Sequence, residues 1–386
     1  MNVLGVYGGI GSMLVAARNA GLTVVGNIEP RSFEDGETFL HNFPGTKFSK
    51  GELINCKPDL ILGHPSCGSY SGINWRQEKV ERDEVENFVK AIQHYEPSFF
   101  IMDNLPKMFI DYPASFWYNE LSDKYDISPV FVNNRFYGNA QVRKRVYVIG
   151  SLKELKYVPV PGEDNTLSTT TEDVISYLLG KENTIENHHD VNPDDYWSSM
   201  TNVLKPNTKS TYREMYEHVK NYPEGKSFKY FKSDGEVGTR IGLTKVKWKD
   251  NCGTLSSTAR QIHPIRCTPL TIKEQLILMG YPDDFTIKGM KVGKDGTWRI
   301  RGKEYHQVNK GVCVQSIQYF IEQIKLYYET SGSYDPKVTT GLETFSHDEV
   351  NKFKYQYCQK PGVTIDSKKC SLCKLRKICS KKKEKN

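Results

Sequence analysis

The first 150 residues alternate short, unbroken apolar runs with segments of helical spacing, and this alternation constrains the fold more than any other feature. "MNVLGVYGGIGSMLVAARNAG" reads as a strand, a glycine turn and a helix from Ser12 to Asn19. "TVVGNIEP" is a second strand that ends in an acid, while "PDLILGHPS" and "PSFFIMDNLP" are apolar runs bounded by Pro and Gly. Runs without polar alternation are buried on both faces, as central strands of a parallel sheet are. "EVENFVKAIQHYEP" supplies helical spacing between them, and "RKRVYVIGSL" is a further strand. The expectation is an open α/β sheet with its ligands at the carboxyl ends of the strands.

Beyond Ser151 the pattern dissolves. Residues 151–262 are polar, with stretches such as "DNTLSTTTED" and "NHHDVNPDDYW", and are expected to form an inserted, loop-rich domain between residues 1–150 and 263–331. Periodicity returns at "TPLTIKEQLILMGYPDDF", a capped helix closed by Gly280 and Pro282. "HQVNKGVCVQSIQYFIEQIKLYYE" is expected to be one long helix packed on the sheet. Residues 332–386 form a separate basic tail. From Lys354 onward there are eleven Lys and Arg against Asp366 and Glu384, a balance of +9, whereas the whole chain carries +7. The body is therefore slightly acidic, and the tail is the part suited to a polyanion such as nucleic acid.

Hydrophobic content of 38% and charged content of 26% fit a water-soluble globular chain, and no apolar stretch is long enough to span a bilayer. The N-terminus lacks a cationic lead, so a cytoplasmic protein is expected. Nine cysteines are an odd number for a disulfide framework. Cys67, between small residues after "DLILG", is either a small buried thiol or a nucleophile at a strand end. The turn "YGGIGS", with Glu29 about 20 residues on, suits a nucleotide-like ligand: glycines admit close approach and the acid binds ribose hydroxyls. Those residues alone do not separate a dinucleotide from S-adenosylmethionine.

Taken in order, the motifs resemble those of the C5-cytosine-specific DNA methyltransferases. The turn at Tyr7, Gly8, Gly9, Ile10 and Gly11 is similar to the family's donor loop "F-x-G-x-G", and Glu29 and Pro30 follow it. "GHPSCGSYS" resembles "G-G-P-P-C-Q-x-F-S", "MDNLPK" resembles the "E-N-V" strand end, and "QVRKR" matches "Q-x-R-x-R". "RCTPLTIKEQLILMGYPDDF" is similar to the helix after the family's recognition domain, and "HQVNKGVCV" to its closing "Q-x-G-N-x-V" element. The resemblance implies a Rossmann-like, S-adenosylmethionine-dependent methyltransferase sheet with residues 151–262 as target-recognition domain. It implies Cys67 as nucleophile toward cytosine C6, Asp103 as the acid at N3, and Arg143 and Arg145 as stabilisers of the pyrimidine carbonyl, the thiolate and nearby phosphate. The partner is then double-stranded DNA, with the target base flipped out. A monomer in a bacterial or phage-infected cell is expected.

The departures lie close to the chemistry. Ser66 and Gly68 flank the cysteine where the family has Pro and Gln, and Asp103 replaces Glu, shortening the reach by up to about 1.5 Å. Asn309 and Lys310 stand where the family has Gly and Asn. An ammonium beside a sulfonium is repulsive, so either Lys310 points away or the donor carries a carboxylate, as carboxy-S-adenosylmethionine does. The product would then be 5-carboxymethylcytosine. A catalytically silent DNA-binding paralogue and an RNA or free-nucleotide methyltransferase are the other readings.

In the tail, Cys358, Cys370, Cys373 and Cys379 are spaced C-x11-C-x2-C-x5-C. Four thiolates so close imply a metal centre. The last three, with their basic flank, resemble the iron–sulfur loop of helix-hairpin-helix DNA glycosylases. This implies a [4Fe–4S] cluster, with zinc as the alternative.

Overall fold

The computed structural model describes residues 1–31, 36–67, 83–160, 169–193, 196, 217, 219–231, 237–255, 261–288 and 303–330. The four tail cysteines lie outside the described residues.

Seven strands form the central sheet: β1 (Asn2–Val6), β2 (Thr23–Ile28), β3 (Lys47–Ser49), β4 (Leu60–Gly63), β5 (Phe99–Asn104), β6 (Tyr125–Asn133) and β7 (Lys144–Leu152). Their order is β3-β2-β1-β4-β5-β7-β6. β1 to β5 pair in parallel, whereas β7 runs antiparallel to both β5 and β6. The "RKRVYVIGSL" strand is thus reversed relative to the rest. β6 was not read from the sequence; Pro129 interrupts its pattern and is tolerated because β6 is an edge strand.

Period-two alternation divides the strands between two cores. Leu60 and Leu62, Phe99 and Ile101, and Tyr147 and Ile149 face the helices α1 (Ser12–Asn19) and α9 (Val314–Glu329). Ile61, Phe100 and Met102, and Val146 and Val148 face α3 (Asp83–Tyr95) and α5 (Ala114–Leu121). Both layers are buried, so the apolar runs are continuous for the reason expected. Further helices are α2 (Glu37–Asn42), α4 (Met108–Asp111), α6 (Thr171–Ile175), α7 (Ile272–Leu278) and α8 (Lys303–Asn309).

α7 begins as its sequence dictates, in a capping box between Thr271 and Glu274, and ends before Gly280 at φ +84°. The long helix expected after His306 is instead two helices, α8 and α9. Backbone groups at the break are paired elsewhere: Gly311 O accepts from Arg143 Nη2 (2.8 Å), Val312 N–H donates to Ser12 Oγ (2.9 Å), and the N–H of Val314, the first residue of α9, to Met279 O (3.0 Å). Those bonds replace the helical ladder and fix the break against the sheet.

Within the span expected as a separate recognition domain, a second sheet has the order β10-β9-β8, from β8 (Ser227–Phe231), β9 (Val237–Lys245) and β10 (Gln261–Ile262). Ile175, Leu178, Val246, Trp248 and Cys252 from the same span join the core shared with α1 and α9.

Gly63 ends β4 where a Cβ would lie 2.2 Å from Phe88 Cε2 and 2.5 Å from the Val6 carbonyl oxygen. Backbone cannot yield as a side-chain tip can. Gly63→Ala is expected to lower the unfolding free energy by ~1–3 kcal/mol, read as a reduced urea midpoint.

Candidate active site

Cys67 sits four residues beyond the end of β4, half-buried, in a loop held from several sides. Asn104 Nδ2 donates to Pro65 O (3.2 Å), and Ser66 N–H donates to Glu84 Oε2 (2.5 Å) at the start of α3. His64, at the start of the loop, is 4% exposed, and its Nδ1 lies 3.2 Å from Asp103 O and 2.7 Å from Asp103 Oδ2. Burial pushes the Cys67 thiol up, but the His64 hydrogen bond and charge, then Arg145 and Arg143, outweigh it and pull the thiol down to about 6. Burial would discharge His64; its contacts with Asp103 and Cys67 prevail and raise it to about 9.

The sheet explains why Asp103, Arg143 and Arg145 converge with that cysteine. β7 is reversed, so its first residues lie level with the carboxyl end of β5, where Asp103 pairs in register with Tyr147 and Asn104 with Val146. Parity then puts Arg143 and Arg145 on the face of Tyr147, which is also the face of Phe99, Ile101 and Asp103. Arg145 Nε is 4.0 Å from Asp103 Oδ2. Arg143 and Arg145 are only 1% and 5% exposed. Burial and the neighbouring Arg143 pull the Arg145 guanidinium below its ordinary value, while Asp103, Cys67 and Cys313 act the other way. Asp103 is fully buried, and neither of its carboxylate oxygens has a hydrogen-bond partner among the described residues.

The glycine turn lies at the end of β1, with Tyr7, Gly9 and Gly11 at φ +58°, +57° and +96°. Asn27 Nδ2 braces Gly9 O (2.9 Å), and a Cβ on Gly8 would come within 2.3 Å of Asn27 Oδ1. Glu29, fully buried, accepts from Gly9 N–H (2.7 Å) and from Arg31, which binds both carboxylate oxygens through Nε (2.6 Å) and Nη2 (2.5 Å). Arg31 also donates to Tyr7 O (2.8 Å) and His64 O (3.1 Å). One guanidinium therefore joins the ends of β1, β2 and β4.

Other expected site residues fall less centrally. Ile10 is buried in the core beside α1, and Pro30 is exposed. Lys310 follows α8, half-buried, with its N–H on His306 O (3.1 Å); after burial, its charge also lowers the His306 imidazole. Among the described residues no group of three His, Cys, Asp or Glu is arranged to hold a metal ion. Sequence reasoning missed His64, Arg31 and Glu84. His64 carried a visible signal, since it replaces the second glycine of "G-G-P-P-C" with a titratable ring.

A mostly parallel sheet closed by a reversed strand, with a glycine turn and a cysteine at adjacent strand ends, defines an α/β methyltransferase fold. The profile of the C-5 cytosine-specific DNA methylases matches residues 1–326. The chain is 22% identical over 379 residues to the type II methyltransferase M.DdeI of Desulfomicrobium norvegicum, covering 85% of this chain and 89% of that one. It is 26% identical over 267 residues to the putative type II methyltransferase M.MjaORF1200P of Methanocaldococcus jannaschii (66% and 64%). Among solved structures, a putative DNA modification methyltransferase encoded within an E. coli prophage superposes with a TM-score of 0.62 at 19% identity, covering 85% of this chain and 99% of that one. Spodoptera frugiperda DNMT2 superposes at 0.55 and 12% identity (85% and 99%). The chain belongs to the C-5 cytosine-specific DNA methylase family, and it is a methyltransferase. Among the described residues no helix is long and apolar enough to cross a membrane.

Glu84→Ala removes the acceptor that holds Ser66 beside the cysteine. A hydrogen bond to a charged group contributes ~1.5–3 kcal/mol. Deuterium exchange at the Ser66 amide, followed by mass spectrometry, is expected to accelerate roughly 10- to 100-fold.

Proposed function

We propose that this enzyme transfers a methyl group from S-adenosylmethionine to C5 of a cytosine flipped out of double-stranded DNA, through a covalent bond between Cys67 and C6. The observation that carries this reading is the meeting of Cys67, Asp103, Arg143 and Arg145, from three neighbouring strand ends, at one buried corner of the sheet.

Cytosine C5 is a weak nucleophile. Addition of the Cys67 thiolate to C6 moves the C5–C6 π pair toward C5 and makes that carbon reactive. Charge builds on the ring as the bond forms, and Asp103 meets it at N3 by carrying or sharing a proton. That neither carboxylate oxygen has a hydrogen-bond partner among the described residues supports that assignment. Arg143 and Arg145 are held by burial and by their own strand, so their charge faces the reacting ring without reorganisation. Loss of the C5 proton and elimination of the sulfur then return Cys67 as a thiolate.

The glycine turn and Glu29 fit the donor, since the backbone at Gly8 to Gly11 carries no bulk and Glu29 is an acid at the next strand end. S-adenosylmethionine supplies an electrophilic methyl carbon when bound. Glu29 binds its ribose hydroxyls, in exchange for at least one of the hydrogen bonds that Arg31 makes to the carboxylate. Methyl is preferred over carboxymethyl because the named relatives are methyltransferases, and Lys310 need only turn from the sulfonium.

A duplex carrying 5-fluorocytosine cannot lose a proton at C5 and so retains the enzyme. Wild-type protein with S-adenosylmethionine is expected to form a denaturation-resistant adduct, and Cys67→Ala none while still binding DNA. Nucleoside mass spectrometry of ordinary DNA should give 5-methylcytosine; a modification elsewhere on the base, or an adduct that survives in Cys67→Ala, would overturn the reading. Arg145→Ala is expected to slow adduct formation by about 10²–10³-fold.

A further inference from the structure

We propose that His64 is a catalytic residue of this site, holding Cys67 as a thiolate within a Cys67–His64–Asp103 triad in which Asp103 fixes the ring. The inference rests on the proposed cytosine chemistry for its purpose, but not for its geometry. It also goes beyond the motif comparison, which has a glycine at this position.

Three observations carry it. First, continuing the alternation of Leu60 and Leu62 brings His64 to the sheet face that holds Asp103, Arg143 and Arg145. Second, a ring only 4% exposed is held on Asp103, with Nδ1 2.7 Å from Oδ2 and 3.2 Å from the backbone oxygen, and it lies three residues from Cys67, whose thiol it does most to pull down. A buried imidazole with a carboxylate on one side and a thiol on the other is best satisfied as imidazolium between two anions. Third, the carboxylate has the right length for this task. Asp103 is one methylene shorter than the family's Glu; neither carboxylate oxygen has a hydrogen-bond partner among the described residues, and Oδ2 is engaged as an ion pair, 2.7 Å from His64 Nδ1 and 4.0 Å from Arg145 Nε. One carboxylate thus holds the ring and still offers an oxygen toward the base.

The step is a proton transfer. The Cys67 S–H bond breaks, its electron pair stays on sulfur, and the proton rests on the imidazole. His64 and Asp103 then stand to Cys67 as an orienting pair, and the thiolate is already present when the base arrives. Other groups facing the pair are Arg145 from β7 and Arg143 just before it, Arg31 beyond β2, Glu84 from α3 through Ser66, Tyr147 beside Asp103, and Cys313 before α9. The arginines also favour thiolate, so loss of His64 alone shifts the titration without returning it fully to an ordinary thiol.

The sign follows from the two shifts. Cys67 is lowered to about 6 and His64 raised to about 9, so the ion pair exists between those values and is lost on either side. The test follows iodoacetamide labelling of Cys67 against pH by peptide mass spectrometry, on full-length protein without DNA or donor. Wild type is expected to show a midpoint near 6. His64→Ala and His64→Gln should each raise it by at least one pH unit, a tenfold change in the thiolate equilibrium. In a histidine-labelled sample, NMR should place the His64 midpoint near 9 and show it falling by at least one unit in Asp103→Asn. A wild-type midpoint of 8 or higher overturns the proposal, as does a midpoint that His64→Gln leaves unmoved or a His64 titration indifferent to Asp103→Asn. If the His64 variants do not fold by circular dichroism, the wild-type midpoint and the Asp103→Asn titration decide the question. Failure of the two readings is separable. Fluorocytosine trapping with an unshifted thiol removes the triad alone, whereas a low midpoint without trapping removes the cytosine chemistry and leaves the triad.

Discussion

Two guanidiniums buried side by side at the head of β7 are the constraint around which the corner is organised. Arg143 and Arg145 are almost wholly out of solvent, and buried charges of one sign require compensation. Asp103 is one counter-charge, 4.0 Å from Arg145 Nε. A Cys67 thiolate is a second. The same arrangement that keeps the arginines tolerable in the interior therefore favours the anionic form of Cys67. Gly311 O takes the remaining load by accepting from Arg143, which breaks the last helical segment into α8 and α9. A buried charge, a helix boundary and the closure of the sheet are in this way one set of contacts.

The reversal of β7 is what lets those arginines serve. In an all-parallel sheet the head of the strand would lie at the opposite edge from the carboxyl ends of β1, β4 and β5. Running β7 backward brings "QVRKR" to the same end as Cys67 and Asp103, and parity selects the face. A one-residue slip in the β5–β7 register would turn Arg143 and Arg145 toward the α3 face and leave Asp103 without a partner there. Pairing along Phe99 to Asn104 thus has a consequence for the chemistry as well as for the core.

Arg31 plays a comparable role beside the glycine turn. Its five donors reach Glu29, Tyr7 O and His64 O, and its guanidinium lies over the Tyr7 ring at 5.5 Å. It joins the glycine turn to the loop that carries Cys67. Engagement of Glu29 by a ribose would therefore loosen a contact made to His64, so the two halves of the site share a side chain.

By itself the sequence determined the sheet, because runs such as "DLILG" and "PSFFIMDN" have no polar face and can only be buried on both sides. It also determined the order of the chemical parts, since the glycine turn, "GHPSC", "MDN" and "QVRKR" are local patterns whose meaning does not depend on distant neighbours. The capping box at Thr271 was legible for the same reason. Strand direction was not, because an apolar run reads alike in either sense, and β6 was hidden by a proline that only an edge position tolerates. Nor was the break at Gly311 legible, since helical spacing continues through it and only partners on Ser12, Arg143 and Met279 interrupt the ladder. His64 is the sharpest case. In the sequence it is one polar residue beside a proline; whether it is a solvated side chain or a buried imidazolium is decided by Asp103, 39 residues away. Charge state depends on burial and on what lies within a few ångströms, and those are properties that tertiary contact alone supplies.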